Sequence, residues 1–239
     1  MQPELQRIDG GTQPGIDTGY GTAAAAPEAQ KVLRNTYLLL ALTMVPTTVG
    51  AWIGIQVAPA IQAHPILSFF LMLGSVIGLQ FGIAAYRNSG IGVALLLLMT
   101  GALGVFIGPL LNFALAMKNG AALVGYAALG TGAIFAGMAA IATVTKRDFS
   151  FMGKFLFVGM IAVLCAGIAN LFLQMPVLGL VIATLVLVIF SLFLLHDLSR
   201  IVTGGETNYV MAATGVYLSL LNVFTSLLQI LLSLAGDRD

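Results

Sequence analysis

The sequence predicts an all-α membrane protein, folded as a bundle of seven transmembrane helices. Hydrophobic residues make up 59% of the 239-residue chain and charged residues only 8%, whereas a soluble domain carries about 25% charged residues. Seven apolar stretches are long enough to cross a bilayer, which takes about 20 residues of helix. The joints between them are short and contain turn-forming residues. With so little charge, most of the surface of this protein must face lipid.

The predicted spans follow one another along the whole chain. They are Thr36–Val57, Ile66–Tyr86, Ile91–Ala116, Ala121–Val144, Phe151–Leu173, Val177–His196 and Asn208–Leu234. The joints between them read APAIQAHP, RNSG, KNG, TKRDFS, QMP and LSRIVTGGET. We therefore expect a transmembrane domain over residues 35–235, preceded by a flexible tail over 1–34 and followed by a short C-terminal segment over 236–239.

The basic residues predict the orientation of the bundle, because Lys and Arg flanking the spans concentrate on the cytoplasmic side. With a cytoplasmic N-terminus, eight of them are inside and two outside. The inside residues are Arg7, Lys31, Arg34, Arg87, Lys146, Arg147, Lys154 and Arg200, and the outside residues are Lys118 and Arg238. The tail is therefore expected in the cytoplasm and the C-terminus in the periplasm.

Composition also excludes several classes of protein and site. The net charge of +1 lacks the basic surplus of a nucleic-acid binder. The single cysteine, Cys165, cannot form an intrachain disulfide, and the sequence has no Cys/His cluster with zinc spacing. The first 34 residues lack the apolar core of a cleavable signal peptide. We expect neither a metal site nor a cofactor.

Rows of small residues predict where the helices approach each other, because close packing in lipid requires small side chains. Such rows occur in the second, third and fourth spans. They contain Gly74, Gly78 and Gly82, then Gly104 and Gly108, then Ala128, Gly132, Ala136 and Ala140. They are expected to seal the bundle, and homodimerisation through one row stays open. Pro46 and Pro109 should kink the first and third spans.

The seventh span carries a polar stripe on one helical face. Gly215, Ser219, Asn222, Ser226, Gln229 and Ser233 follow one another at steps of three or four residues. A polar face on a membrane helix must meet protein or water. Hydrogen bonds to neighbouring helices and one wall of a hydrated path both satisfy this requirement.

The end of the sixth span carries His196, Asp197 and Arg200. An Asp at a helix end near the interface costs much less than the roughly 2.5–3.5 kcal/mol of a charge at the membrane centre. Asp197 is therefore either a structural charge paired with Arg200 or a latch between spans six and seven, with Ser219 as its expected neighbour. His196 either tunes this latch, since His titrates near neutral pH, or lies at the interface without a specific role.

The seven spans, the segment HDLSRIVTGGETNY and the segment ATGVYLSLLNVFTSLLQIL resemble the Bax inhibitor-1 family. The resemblance implies a bundle of the Bax inhibitor type. The joint GGETNY, formed by Gly204, Gly205, Glu206, Thr207, Asn208 and Tyr209, is similar to the bacterial YccA-like branch. Membership of that branch implies a bacterial inner-membrane protein that binds and modulates the protease FtsH. In the joint itself, Thr207 or Glu206 can cap span seven, and the two glycines supply a turn.

The chain departs from the members of this family that leak calcium. Those members have two Asp residues on the last two helices, where this chain has Asp197 and Ser219. They also have an acid in the second helix, and the second span here contains none. The departures disfavour the alternative function, a pH-sensitive leak of Ca²⁺ or H⁺ along Asp197, His196, Arg200, Ser219, Asn222 and Ser226.

An enzyme is not expected. An intramembrane aspartyl protease needs two facing Asp residues, and the spans offer one. Rhomboid-type chemistry needs a Ser and a His on different helices, but no His lies in the middle of a span, and HExxH is absent. The sequence therefore predicts a membrane protein whose partners are lipid and an FtsH-type protease, with the tail over 1–30 as the segment that the protease grips.

Overall fold

The structure is a computed structural model that describes residues 20–236, with side chains from residue 27 onward. These residues form helices and turns without any strand. The helices are α1 (Tyr20–Gln56), α2 (Ala58–Ala63), α3 (Pro65–Ala85), α4 (Gly90–Ala116), α5 (Gly120–Thr145), α6 (Gly153–Leu173), α7 (Pro176–Val202) and α8 (Tyr209–Gly236), with a 3-10 turn at Ser150–Met152. Seven of them, all but α2, are long and apolar enough to cross a membrane. The predicted fold class is therefore confirmed.

The helices differ from the predicted spans mainly at two ends. Helix α1 already begins at Tyr20, so helical structure extends into the segment predicted as a flexible tail, of which residues 1–19 lie outside the described part. Helix α7 continues to Val202, so the prediction that the sixth span ends at His196 is wrong. The N–H groups of the turn that follows satisfy the last carbonyls of α7: those of Gly204 and Glu206 donate to the carbonyls of Ile201 and Arg200.

The tight QMP joint is a real helix boundary. Gln174 adopts a left-handed conformation, with φ of 51°, and ends α6. The Met175 N–H donates to the Asn170 side-chain oxygen at 3.1 Å, and α7 begins at Pro176. A proline in the first turn of a helix loses no hydrogen bond. Asn170 therefore has a structural role at this joint.

The α1–α4 interface is the tightest in the bundle because glycines bring the two backbones into contact. A Cβ built at Gly50 would overlap the carbonyl oxygen of Gly101, and one at Gly104 would overlap that of Thr47. Gly54 packs in the same way on the carbonyl of Val105. Pro109 has no N–H to donate to the Val105 carbonyl one turn before it. The carbonyl oxygen therefore keeps a free lone pair, which a Cα–H of Gly54 meets.

The predicted glycine rows divide between this interface and open surface. Gly104 and Gly108 of α4 lie in the contact, and the partner row is Gly50 and Gly54 of α1, which the sequence analysis did not single out. In contrast, a Cβ at Gly74 or Gly78 of α3 would meet nothing within 4 Å. A Cβ at Gly82, the third glycine of the same row, would lie 3.1 Å from the Leu95 side chain of α4. The expectation that this row seals the bundle therefore holds at Gly82 and is wrong at Gly74 and Gly78.

Helix α8 occupies the centre of the bundle. It packs against α1, α3, α4, α5 and α7, whereas α6 packs on α7 and the 3-10 turn. Tyr217 of α8 is 1% exposed, and its hydroxyl bonds the Thr47 hydroxyl at 2.8 Å and donates to the Thr100 carbonyl at 3.3 Å. A buried Tyr needs such partners. The tyrosine therefore joins α8 to both helices of the glycine interface.

We predict that Gly104→Ala destabilises the bundle by about 1–3 kcal/mol, the usual effect of overpacking. The new methyl group would meet backbone atoms of Thr47, Ala51 and Gly50, which cannot rotate away. The measurement is the unfolding free energy in a detergent titration. Gly78→Ala is the matched control, since the same methyl group enters open space. Equal stability of the two variants would contradict the interface.

Candidate functional site

Most predicted site residues lie at one end of the bundle, which we call the basic end. Here α3 meets α4, α5 meets the 3-10 turn before α6, and α7 meets α8. The basic residues of these joints and helix ends are Arg87, Lys146, Arg147, Lys154 and Arg200. This end is therefore the one that the sequence predicts to face the cytoplasm.

His196 and Asp197 form a pair within α7. The His196 Nδ1 lies 2.9 Å from the Asp197 Oδ1, and the two side chains are 11% and 20% exposed. The His ring also meets Phe193 edge to face, at 6.3 Å between centroids. Two neighbouring helix residues thus combine into one polar unit between α6 and α8.

Two glycines make room for this pair. A Cβ at Gly153, the first residue of α6, would lie 2.9 Å from the His196 Nε2. A Cβ at Gly215 of α8 would lie 2.8 Å from the Asp197 Oδ2. Because neither glycine has a side chain, the pair reaches both neighbouring helices. It therefore occupies the point where α6, α7 and α8 converge.

Asp197 does not make the contacts that the sequence analysis expected. Its carboxylate faces Gly215, one helical turn before Ser219, and no hydrogen bond joins Asp197 to Ser219 among the described side chains. Arg200 bonds elsewhere: its Nη2 lies 3.5 Å from Glu206 Oε2 and donates to the Gly205 carbonyl at 3.3 Å. The expected pairing of Asp197 with Arg200 is thus replaced by His196–Asp197 and Arg200–Glu206.

The GGETNY joint folds back onto the end of α7. Gly204 has φ of +80°, a left-handed conformation that favours glycine at a helix C-terminus. The Glu206 N–H then donates to the Arg200 carbonyl at 3.0 Å. This reversal, which sequence spacing alone does not show, is what brings Glu206 to Arg200.

Asn208 caps α8, in place of the expected Thr207 or Glu206. Its Oδ1 accepts hydrogen bonds from the N–H groups of Val210 and Met211, both at 3.0 Å. Its Nδ2 donates to the Arg87 carbonyl at 3.0 Å and to the Asn88 side-chain oxygen at 2.7 Å. One amide therefore starts α8 and ties the α7–α8 joint to the α3–α4 joint.

The α5–α6 joint is tied to α7 as well. The Phe149 N–H donates to the Ser199 hydroxyl at 3.4 Å. The side chain and backbone N–H of Ser150 hold the pKa of the exposed Asp148 carboxyl below its ordinary value, with smaller contributions from the charges of His196 and Arg200. Three joints thus meet around the end of α7.

The polar stripe of α8 lies on the side of α7. Ser219 and Ser226 are buried, while Gln229 and Ser233 are exposed. Asn222 donates to the Leu218 carbonyl of its own helix at 2.8 Å, so this bond does not join two helices. The stripe shares its face with Gly215, which contacts Asp197. Of the predicted path residues, the structure therefore brings Asp197 and His196 together, and Ser219, Asn222 and Ser226 follow farther along α8.

The sequence analysis did not identify Tyr217 and Gly153, and it placed Gly215 on the polar stripe without predicting its contact with Asp197. Tyr217 carried a usable signal, because a tyrosine in the middle of a membrane helix requires a partner for its hydroxyl. No sequence pattern points to the contacts of the two glycines. Only the approach of another helix distinguishes them from the other 26 of the 28 glycines. Among the described residues no group of three or more His, Cys, Asp or Glu could hold a metal ion.

Comparison with known proteins gives a consistent match over nearly the whole described chain. The family model for the inhibitor of apoptosis-promoting Bax1 matches residues 29–236. An uncharacterized membrane protein of Vibrio cholerae is 41% identical over 85% of this chain and 90% of its own length. The modulator of FtsH protease YccA of Escherichia coli is 38% identical over 84% of this chain and 89% of its own.

We predict that Asn208→Ala destabilises the protein by about 1 kcal/mol more than Asn208→Asp, since the latter keeps an acceptor for the cap. Asn208→Asp loses only the donor that bonds Arg87 and Asn88. Unfolding free energies and hydrogen exchange at the start of α8 are the measurements. If both variants behave alike, the amide has no role as a cap.

Proposed function

The chain belongs to the Bax inhibitor family, and from this premise we propose that it is a non-enzymatic inner-membrane protein that binds and modulates an FtsH-type protease. The observation that carries the proposal is the Escherichia coli relative named a modulator of FtsH protease, which is 38% identical over 84% of this chain. The chain itself is a multi-pass membrane protein of seven apolar helices.

The proposed mechanism is that of a poorly processed substrate. The protease grips the segment before α1, which the composition predicts to be flexible, and pulls it away from the membrane. Residues 1–19 of this segment lie outside the described part of the chain. The segment continues into α1 without a break in the chain. The pulling force therefore acts first on the helix that contacts α4 through its backbone.

The architecture supports resistance to such a force. Helix α1 is held by the glycine contact with α4 and by the hydrogen bond from Thr47 to Tyr217 on the central helix α8. Both interactions lie inside the bundle, where water cannot replace a broken hydrogen bond. Extraction of α1 must therefore open the core before any peripheral helix leaves the bundle. A protease that pulls on α1 is then occupied for longer than it would be by a substrate that unfolds from its periphery.

The mechanism requires the tail on the side of the protease. We infer a cytoplasmic N-terminus and a periplasmic C-terminus from the eight inside and two outside Lys and Arg residues. Reporter fusions are expected to give a periplasmic signal after Asp239 and a cytoplasmic signal in the α5–α6 joint, for example after Arg147. A cytoplasmic signal at Asp239 would contradict this orientation.

Deletion of residues 2–26 should lengthen the cellular half-life of the protein and leave the span Pro27–Gln56 intact. The reason is that the protease loses the segment it grips while the bundle remains folded. Pulse-chase turnover measures the effect, and cells without the protease are the control. Turnover that is the same with and without the protease, for both chains, would exclude the modulator mechanism. Co-purification of the protease with the full chain, but not with the deletion variant, is the accompanying binding test.

We also propose that Asp197 holds the basic end closed by tethering α7 to α8, with His196 fixing its orientation. The support is geometric: the carboxylate bonds the His196 ring and lies against Gly215. The alternative function, a pH-sensitive Ca²⁺ or H⁺ leak, lacks the second carboxylate of the leaking family members, because Ser219 stands at that position.

Asp197→Asn should loosen the start of α8, because an uncharged amide bonds the His196 ring more weakly than a carboxylate does and is therefore held less firmly against Gly215 of α8. Faster hydrogen exchange over residues 209–217 is the expected readout. Ion flux in proteoliposomes between pH 6 and pH 8 is measured in parallel, and we expect none that depends on pH in the unsubstituted protein. A pH-gated calcium flux that disappears in Asp197→Asn would favour the leak.

A further inference from the structure

A cavity of about 660 Å³ lies inside the membrane-spanning part of the bundle. Helices α1 and α5 form its two walls, and α4 and α8 form its floor. Characteristic lining residues are Met44 and Ala51 of α1, Leu111 of α4, Ala128 and Gly132 of α5, and Phe224 of α8. The cavity opens to the surface of the bundle, where lining residues such as Met44 are exposed, so the surrounding solvent can enter it. The cavity therefore calls for an occupant.

The cavity is elongated and is closed toward the basic end. There the rings of Tyr37 and Phe135 meet edge to face at 5.8 Å between centroids. From Tyr37 the lining continues along α1 to Ala51, which at 1.5 Å per residue is about 21 Å. It lies on the face of α8 that carries Leu220 and Phe224, on the opposite side from the polar stripe. It is thus separate from the His196–Asp197 site.

Most hydroxyl groups in the lining already bond protein atoms. The Thr47 hydroxyl bonds the Thr43 carbonyl and Tyr217, and the Thr131 hydroxyl donates to the Ala127 carbonyl at 2.7 Å. The exception is the Tyr37 hydroxyl, at the end of the lining, which has no hydrogen bond among the described residues. None of the residues that line the cavity is charged, and water would find few partners here. The chemistry of the lining favours a hydrocarbon.

We propose that this cavity binds a single acyl chain of a bilayer phospholipid. The walls are membrane spans, so hydrocarbon surrounds them, and the long narrow shape matches an extended chain. A free fatty acid would bring a carboxylate for which the lining has no cation. The proposal does not depend on the protease.

The test uses bromine atoms on lipid chains, which quench tryptophan fluorescence on contact. The only tryptophan, Trp52, lies on the exposed surface and is replaced in the background Trp52→Phe. Phe224→Trp then places a probe in the floor of the cavity. In bilayers of phosphatidylglycerol with brominated chains, we expect strong quenching of this tryptophan relative to the same lipid without bromine.

Filling the cavity should remove the quenching. Gly132→Phe in this background places a ring in the cavity, while Gly137→Phe is the matched control on the same helix. A Cβ at either glycine meets nothing within 4 Å, but only Gly132 lines the cavity. We expect loss of quenching in the first variant and full quenching in the second. If Gly132→Phe is not monodisperse, Ala128→Leu takes its place.

Four results would overturn the proposal. Absence of quenching in the unfilled probe variant would show that chains do not enter. Quenching that persists equally in both Phe variants would place the contact outside the cavity. Quenching by an added brominated fatty acid, without quenching by the brominated phospholipid, would identify a free acid as the occupant. Protection from brominated lipid only when the protease is co-reconstituted would instead indicate a partner helix, which also contradicts a lipid site.

Discussion

The backbone contact between α1 and α4 is the constraint on which the rest of the bundle depends. Lipid provides no hydrophobic force between helices, so packing must provide the stability. Glycines on both helices allow carbonyls and Cα atoms to touch, and Tyr217 extends this contact to the central helix α8. Because α1, α4 and α8 are fixed together, the space between α1 and α5 stays open as a defined cavity rather than closing by rearrangement.

The basic end follows a different principle. There the helices are connected by polar bonds between joints that are distant in sequence, above all those of Asn208 with Arg87 and Asn88. Next to them, His196 and Asp197 reach α6 and α8 through the space left by two glycines. Directional polar contacts thus hold the basic end, and a change in the charge of a side chain can alter them. Packing holds the membrane interior, and a change in charge does not alter it.

This division suits a protein that resists extraction yet offers a point of engagement. In the proposed mechanism, a force on the N-terminal segment would pass into α1, which has the closest backbone contact of the bundle, with α4. An acyl chain in the cavity would support the adjoining face of the same helix, because Thr47 and Ala51 belong both to the α4 contact and to the cavity lining. The proposed lipid site and the proposed resistance to the protease then act on α1 independently, since one is an apolar groove and the other a backbone contact.

The seven spans, the joints between them and the class, an all-α membrane protein, can be predicted from the amino-acid sequence. These follow from hydropathy and turn chemistry, which act locally: a run of about 20 apolar residues must become a helix in lipid. The resemblance to the Bax inhibitor-1 family rests on two short segments, HDLSRIVTGGETNY and ATGVYLSLLNVFTSLLQIL, which can be recognised without a structure. Helix ends were predicted less accurately where the chain folds back on a helix end, as the N–H groups of Gly204 and Glu206 do on the last carbonyls of α7.

The contacts of small residues with other helices, and the pairing of polar side chains, follow from the tertiary structure and could not be predicted from the sequence. Gly78 and Gly104 lie in similar sequence patterns, yet one faces open space and the other a backbone. Asp197 meets His196 and Gly215 instead of Arg200 and Ser219, because the rotation of α7 against α8 and the reversal at Gly204 set these distances. The rotation of a helix about its axis depends on its contacts with several neighbouring helices together. No single segment of the sequence specifies all of these contacts.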